Sequence, residues 1–431
     1  MGRSVAAVIC AGASVRAALY ALPSLQTTLA DRPELVTAVS SFRRVQEGAF
    51  LFERTDSPYA GDVFHQPPLV FAAFYPLVSL APPALRYALT CVAFICVDVL
   101  IAAGFARLCR RTLQLEEGRV RRFQGQEIWL SRVPVSPLLA PNALPATVAF
   151  IYLLNPYSLA SSVAMSTASL THLALIYSLV FAAEGAIVAS MLCVAGGVYL
   201  SVYPFFLIVP IVLLLRAAKS PKNIGPNDDD QSEEGTRSLV SLSISCFVAF
   251  GVWLGLLLYL SWSLSGDWEF LEETYVWVAK YSDLTPNVGI FWYFFMEVFD
   301  RFIPYFLFVM HLHPCIYVVP IYLRMAMGIV GAFCGYLHVV FVSLPPSIAI
   351  ENRFAYVLGL GVATCMLPVM WFLWLFPASG NANFFYNQTL VYQIFNSQII
   401  TAFVGASMKR DKDVQKYRAA RLQEVDAVKE S

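Results

Sequence analysis

No Asp, Glu, Lys or Arg occurs between residues 354 and 408, and the stretches 185–215, 238–266, 302–323 and 325–350 are equally free of charge. A helix crossing the hydrocarbon core of a bilayer needs roughly 20 predominantly apolar residues, so each run suits about one crossing and the longest must hold two. Backbone polar groups in lipid have to be satisfied inside the segment. These runs lack the alternation, over segments of about ten residues, that marks a membrane barrel, so the reading is helical. The expected fold class is all-α: a polytopic transmembrane helix bundle, one multi-span membrane domain over 1–431 with about ten to twelve spans.

Composition agrees. Hydrophobic residues make up 58% and charged residues 13%, with mean hydropathy +0.63, about half the charged fraction of a soluble domain. The formal net charge is zero, so no basic field advertises nucleic acid as a partner. The nine cysteines lie mostly inside apolar runs without C-x-x-C spacing and read as small core residues, not disulfides. Ser4–Leu22 has the apolar stretch of a signal peptide, but Arg16 interrupts it and no small-x-small cleavage site follows; it reads as an uncleaved first span.

Charge placement sets the expected topology. Residues 107–142 form a basic loop with Arg107, Arg110, Arg111, Arg119, Arg121, Arg122 and Arg132 against Glu116, Glu117 and Glu127, which the positive-inside rule assigns to the cytosol. One crossing near 84–106 then puts 31–67 on the opposite, lumenal side. The stretch 68–82, bounded by Pro67-Pro68 and Pro82-Pro83, is left as an interfacial or re-entrant piece. Residues 216–237, with Asp228-Asp229-Asp230, read as a flexible cytosolic loop. Segments 265–289 and 377–386 are expected in the lumen and the basic tail 409–431 in the cytosol. The span count between 290 and 376 does not satisfy parity: three apolar stretches stand where an even number is required.

Reactive constellations are scarce in the sequence. Cys334 and His338 lie one helical turn apart in an apolar span and read as packed core, and His311 and His313 point to different faces of a helix, so no metal site is assigned. No two acids in 31–67 are adjacent or separated by one residue, and Asp267-Trp268-Glu269 with Glu272 and Glu273 reads as a solvated helix start. No catalytic residue and no cofactor is expected. Aromatic and amide groups are abundant instead. Trp268, Trp277, Trp292, Tyr293, Phe294 and Phe295 flank one lumenal segment, while Trp371, Trp374, Phe384, Phe385 and Tyr386 surround Asn381 and Asn383. Amides beside aromatics at an interface suit recognition of a polar lipid head group.

Several stretches together resemble the PIG-U family, subunits of the glycosylphosphatidylinositol (GPI) transamidase. They are Ser40-Ser41-Phe42-Arg43-Arg44-Val45-Gln46-Glu47-Gly48, Ser57-Pro58-Tyr59 and Phe64-His65-Gln66-Pro67-Pro68-Leu69; Tyr152-Leu153-Leu154-Asn155-Pro156-Tyr157 with Ser166-Thr167; Asp283-Leu284-Thr285-Pro286-Asn287-Val288-Gly289 through Glu297; and Ala382-Asn383-Phe384-Phe385-Tyr386 after Trp371 and Trp374. The matches run in the family's order from about residue 30 to about residue 390. Between about 324 and 354 the chain looks shorter than the family by roughly one crossing's worth of ~20 residues, in the region where parity fails.

The resemblance implies a fold like the lipid-linked-sugar (GT-C type) mannosyltransferases, but without their paired acids in the first lumenal loop. It also implies a noncatalytic, multi-pass subunit in the endoplasmic reticulum membrane that binds and presents the GPI lipid. Its partners would be the other transamidase subunits, including a caspase-like cysteine protease that does the chemistry. Head-group contacts are expected from Ser57, Pro58, Tyr59, His65, Asp283, Asn287, Trp292, Asn381, Asn383, Phe384 and Tyr386. The alternative is a mannosyltransferase of GPI assembly using a dolichol-linked donor, with Asp267 or Glu269 as base. A transporter would bury facing charges and show inverted repeats; Asp98 and no evident repeat place that reading last.

Overall fold

The computed structural model describes residues 3–122, 142–219, 233–312 and 352–430, together with 140 and 316. Among these residues the chain is helical, and its one extended pairing is the antiparallel bridge between Ser41 and Ser166. Helices α1 (Arg3–Tyr20) and α2 (Pro23–Ala30) meet at a 90° bend. Then come α3 (Phe42–Thr55), α4 (Pro68–Tyr75) running on into a π turn (Pro76–Leu80), and α5 (Pro83–Arg122). Next are α6 (Leu144–Leu154), α7 (Pro156–Val163), α8 (Ala168–Ala183), α9 (Ile187–Leu200), α10 (Ile208–Lys219) and α11 (Glu233–Ser265). Helical turns over 269–280 lead to α12 (Phe291–Glu297), and the chain closes with α13 (Arg353–Leu375) and α14 (Ala382–Glu430).

Proline sets several of these boundaries. It lacks an N–H and has φ fixed for the first helical turn, so it starts helices without loss, and Pro23, Pro68, Pro83 and Pro156 all do so. Between α6 and α7 the axis bends by 51°. There the Asn155 side chain accepts the Tyr157 N–H at 2.9 Å, an N-cap that closes one helix end and opens another.

Among the described residues three helices are long and apolar enough to cross a membrane, Pro83–Leu115, Arg237–Ser265 and Phe354–Leu375, and the number rises to five if each bent pair is one span. Pro68–Leu80 is apolar but shorter, as its flanking prolines imply. The uncharged run 185–215 is not one crossing helix: α9 ends at Leu200, Ser201 is extended, and a 3-10 turn over Tyr203–Leu207 precedes α10. Residues 354–408 hold two helices, as their length requires. The basic segment from Arg107 does not begin as a loop, since α5 stays helical through Arg122, and the tail from Lys409 continues α14 to Glu430. The parity problem falls largely on 317–351, outside the described residues, as do most of 216–237 and of 123–142.

The main core joins α1, α5, α6, α8, α9, α10 and α11 around Ile101, Leu108, Leu153, Met191 and Ile211. A second core sits under the first loop, where α3 lays Phe42, Val45, Gly48 and Ala49 against Phe64, Phe71, Phe74 and Phe94. Those α3 positions recur at helical spacing, so one stripe is buried and Arg43, Glu47 and Arg54 stay on the other side. A third, small cluster of Trp292, Leu367 and Phe385 joins α12 to the α13–α14 hairpin. In contrast, α11 leaves Val240, Ile244, Val248, Val252 and Tyr259 exposed, an apolar outer face suited to lipid.

Candidate lipid head-group surface

The first loop is built on its own hydrogen bonds. Asp56 ends α3 in the left-handed region (φ 61°), its N–H donating to Phe52 O at 3.1 Å. Ser57 Oγ accepts the Tyr59 N–H at 3.2 Å, and the Tyr59 hydroxyl donates to Gln66 O at 2.8 Å. Gln66 Nε2 donates to Ser41 O at 3.0 Å. Burial raises the Tyr59 phenol well above its ordinary pKa, which keeps it a neutral donor. Gly48 is required here: a Cβ would stand 2.9 Å from Phe64 Cγ.

His65 is buried and fully engaged. Its Nδ1 lies 2.8 Å from Glu273 O, its Nε2 3.2 Å from Asp62 Oδ1, and its ring stacks on Trp277 with centroids 3.5 Å apart. Trp277 Nε1 donates to the same Asp62 oxygen at 3.0 Å and stacks in turn on Tyr281 at 4.3 Å. Of the residues expected to meet a head group, Tyr59 is therefore committed to the first loop itself and His65 to joining that loop to the turns 269–281, while Ser57 and Pro58 are half-buried beside them. Burial and the neighbouring Asp283 push the Tyr281 phenol upward.

The other predicted residues gather about 283–297 and 381–386. Asp283 Oδ1 accepts the Thr285 N–H at 2.9 Å, Asn287 Nδ2 donates to Asp283 Oδ2 at 2.8 Å, and Asn287 Oδ1 accepts the Gly289 N–H at 2.7 Å. Asp283 and Asn287 thus hold their own turn. Asn381 caps α14, its Oδ1 accepting the Phe384 N–H at 3.2 Å. Asn383 differs. Its Oδ1 accepts the Tyr293 hydroxyl, while its amide nitrogen has no hydrogen bond to the described residues and the side chain is exposed. Tyr293 stacks on Tyr386 at 4.3 Å, Phe384 is 57% exposed, and Trp292, 1% exposed, lies beneath, its Nε1 without a partner among the described residues.

The two groups stay distinct, linked by the stretch 277–289 and by Arg32, whose guanidinium lies 5.6 Å from the Trp371 ring centroid while it pairs with Glu34. Asp267 Oδ1 accepts the Glu269 N–H at 3.1 Å and both are exposed; Asp267 holds the turn that leads into the helical turns 269–280. Among the described residues no three His, Cys, Asp or Glu side chains could hold a metal. His313, Cys334 and His338 lie outside them. In the Asn387-Gln388-Thr389 sequon, Thr389 is buried and its hydroxyl donates to Tyr386 O.

Two charged residues assigned no partners from sequence meet in the core: Arg16 Nε donates to Asp98 Oδ2 at 2.8 Å. Their only sequence signal is that each stands alone in an apolar run.

Comparison with known proteins gives one consistent set. The sequence model of a family described as GPI transamidase subunit PIG-U matches residues 10–352 and 329–392, and the join between the two stretches falls in the region where the chain looks short. The Chinese hamster (Cricetulus griseus) GPI-anchor transamidase component PIGU is 28% identical over 95% of both chains, and the Homo sapiens protein of that name 27% over 95% of both. Saccharomyces cerevisiae GPI transamidase component GAB1 is 27% identical over 93% of both.

Proposed function

Given that this chain belongs to the family of the GPI transamidase subunit PIG-U, we propose that it is a noncatalytic component of that complex in the endoplasmic reticulum membrane, receiving the GPI lipid and holding its head group for transfer to precursor proteins. The observation that carries this reading is Asn383. An exposed amide with free N–H donors stands against the stacked Tyr293–Tyr386 wall, next to exposed Phe384. Hydroxyl or phosphate oxygens of a glycolipid head group take such donors, while the aromatic faces take sugar C–H surface or the upper acyl chain. Trp292, whose Nε1 has no partner among the described residues, supports the wall from below. The caspase-like protease subunit supplies the nucleophile, and the absence of an acid pair in the first loop agrees with a chain that binds without turnover.

Ser57, Pro58, Tyr59 and His65 then shape the neighbouring loop, and Asp283, Asn287 and Asn381 set the turns that present Asn383. The test is Asn383→Lys in cells whose own copy has been removed. Surface GPI-anchored proteins, read by flow cytometry, should fall severalfold while the variant still co-purifies with the other subunits. Unchanged surface levels at normal expression would refute the assignment of Asn383.

A further inference from the structure

Arg16 is 0% exposed and Asp98 3% exposed. Removing two such charges from water costs several kcal/mol per ion unless geometry and further hydrogen bonds offset it. Arg16 has those bonds at Nε and Nη1, while Nη2 has no partner among the described residues. Besides Nε to Asp98, its Nη1 reaches Leu153 O at 2.7 Å and Gly12 O at 3.3 Å, and the Tyr152 hydroxyl completes the carboxylate at Asp98 Oδ1, 2.8 Å. Helices α1 and α6 approach closely enough for this because residue 12 is glycine: a Cβ there would stand 2.8 Å from Leu153 Cβ.

The Leu153 carbonyl is the informative partner. In an unbroken helix it would accept the N–H of Tyr157, four residues on. That N–H is taken by the Asn155 side chain, leaving Leu153 O an orphan at a broken helix end. Arg16 satisfies it. One turn further along α1 the Tyr20 hydroxyl donates to Ser162 O in α7, so α1 grips both sides of the break. From the far end of α7 the contacts continue outward. Ser166 bridges to Ser41, and the N–H and Oγ1 of Thr167 donate to Ser40 O at 2.8 and 3.1 Å. Gln66 holds Ser41 O and Tyr59 holds Gln66 O.

We infer that Arg16, held by Asp98, is a positioning residue: by capping the broken end of α6 it fixes α7, and α7 seats the first loop at Ser40–Ser41. Its effect on GPI attachment rests on the reading that this loop borders the head-group surface; its effect on the loop does not.

The experiment compares Arg16→Lys and the double variant Arg16→Met/Asp98→Leu with wild type, in the assembled transamidase complex. Lysine keeps the charge opposite Asp98 but cannot serve the carboxylate and Leu153 O with a fork of donors. The apolar pair removes the charges together, which is often tolerated where breaking one partner is not. Both variants should assemble, amide hydrogen exchange over 57–66 should quicken severalfold, and surface GPI-anchored proteins should fall. Unchanged exchange over 57–66 in an assembled variant overturns the inference, and so does failure of every variant to assemble, which would assign the pair to folding alone. Faster exchange with normal GPI attachment upholds the positioning role and counts instead against the first loop's part in binding.

Discussion

Two phenylalanines of this chain carry opposite roles by virtue of exposure alone. Phe64 is 0% exposed beneath α3, whereas Phe384 is 57% exposed beside Asn383. Phe64→Ala removes a buried ring from a tight contact with Gly48 and should cost about 3–5 kcal/mol, seen as a lower thermal unfolding midpoint of the purified complex. Phe384→Ala should change stability by no more than about 0.5 kcal/mol yet reduce the GPI lipid that co-purifies. Equal loss of stability in both would remove the distinction. The amides divide in the same way. Asn381 stands before a helical run with its carbonyl three residues ahead of the Phe384 N–H, an N-cap signature readable from spacing. Asp283 and Asn287 follow the Asx-turn habit of their residue types. Sequence reading grouped all of these with Asn383 because amide density marks a polar surface without saying whose hydrogen bonds the amides make. Telling the bound from the free needs tertiary partners such as the Tyr293 hydroxyl, and those are set 90 positions away.

At the level of elements, proline and the uncharged runs carry most of the legible information. The breaks at Pro23 and Pro156, the short Pro68–Leu80 helix and the division of 354–408 follow from local rules. The split of 185–215 is hidden, because hydropathy is blind to a broken helix when both halves are apolar. The helical continuation of α5 into its arginines is equally hidden, since charged residues such as Arg and Glu are good helix formers and hydropathy marks only where lipid ends. The joint between α6 and α7 is the element on which most depends. Asn155 accepts the Tyr157 N–H there, so Asn155→Ala should cost about 1 kcal/mol, and Asn155→Ser or Asn155→Asp should restore most of it. Equal unfolding midpoints for wild type and Asn155→Ala would mean that Arg16 and Tyr20 hold the joint without the cap.

For the whole molecule, the question is whether the first loop leaves polar groups free to act on a ligand. The first loop spends its polar groups on itself and on the turns 269–281. Ser57, Tyr59, His65, Gln66 and Asp62 are all engaged within the chain, and Asp267 accepts the Glu269 N–H in its own turn. An acid needed as a base must be free to reach an acceptor hydroxyl, whereas Glu34, Asp31, Glu47, Asp62 and Glu272 pair in turn with Arg32, Arg43, Arg44, His65 and Lys280, and Asp283 holds its own turn. A subunit that presents lipid acts after the glycan is complete, whereas a transferase acts while it is being built. Removing this chain should therefore accumulate complete GPI, carrying its full set of mannoses and its terminal ethanolamine phosphate, with uncleaved precursor proteins beside it. Lipid extraction after metabolic mannose labelling reads this directly. A glycan-poor intermediate would instead restore the transferase reading and point to Asp267 and Glu269. With complete GPI accumulating, Asn383→Lys should give the same lipid profile as removal, because the defect lies in holding a finished lipid.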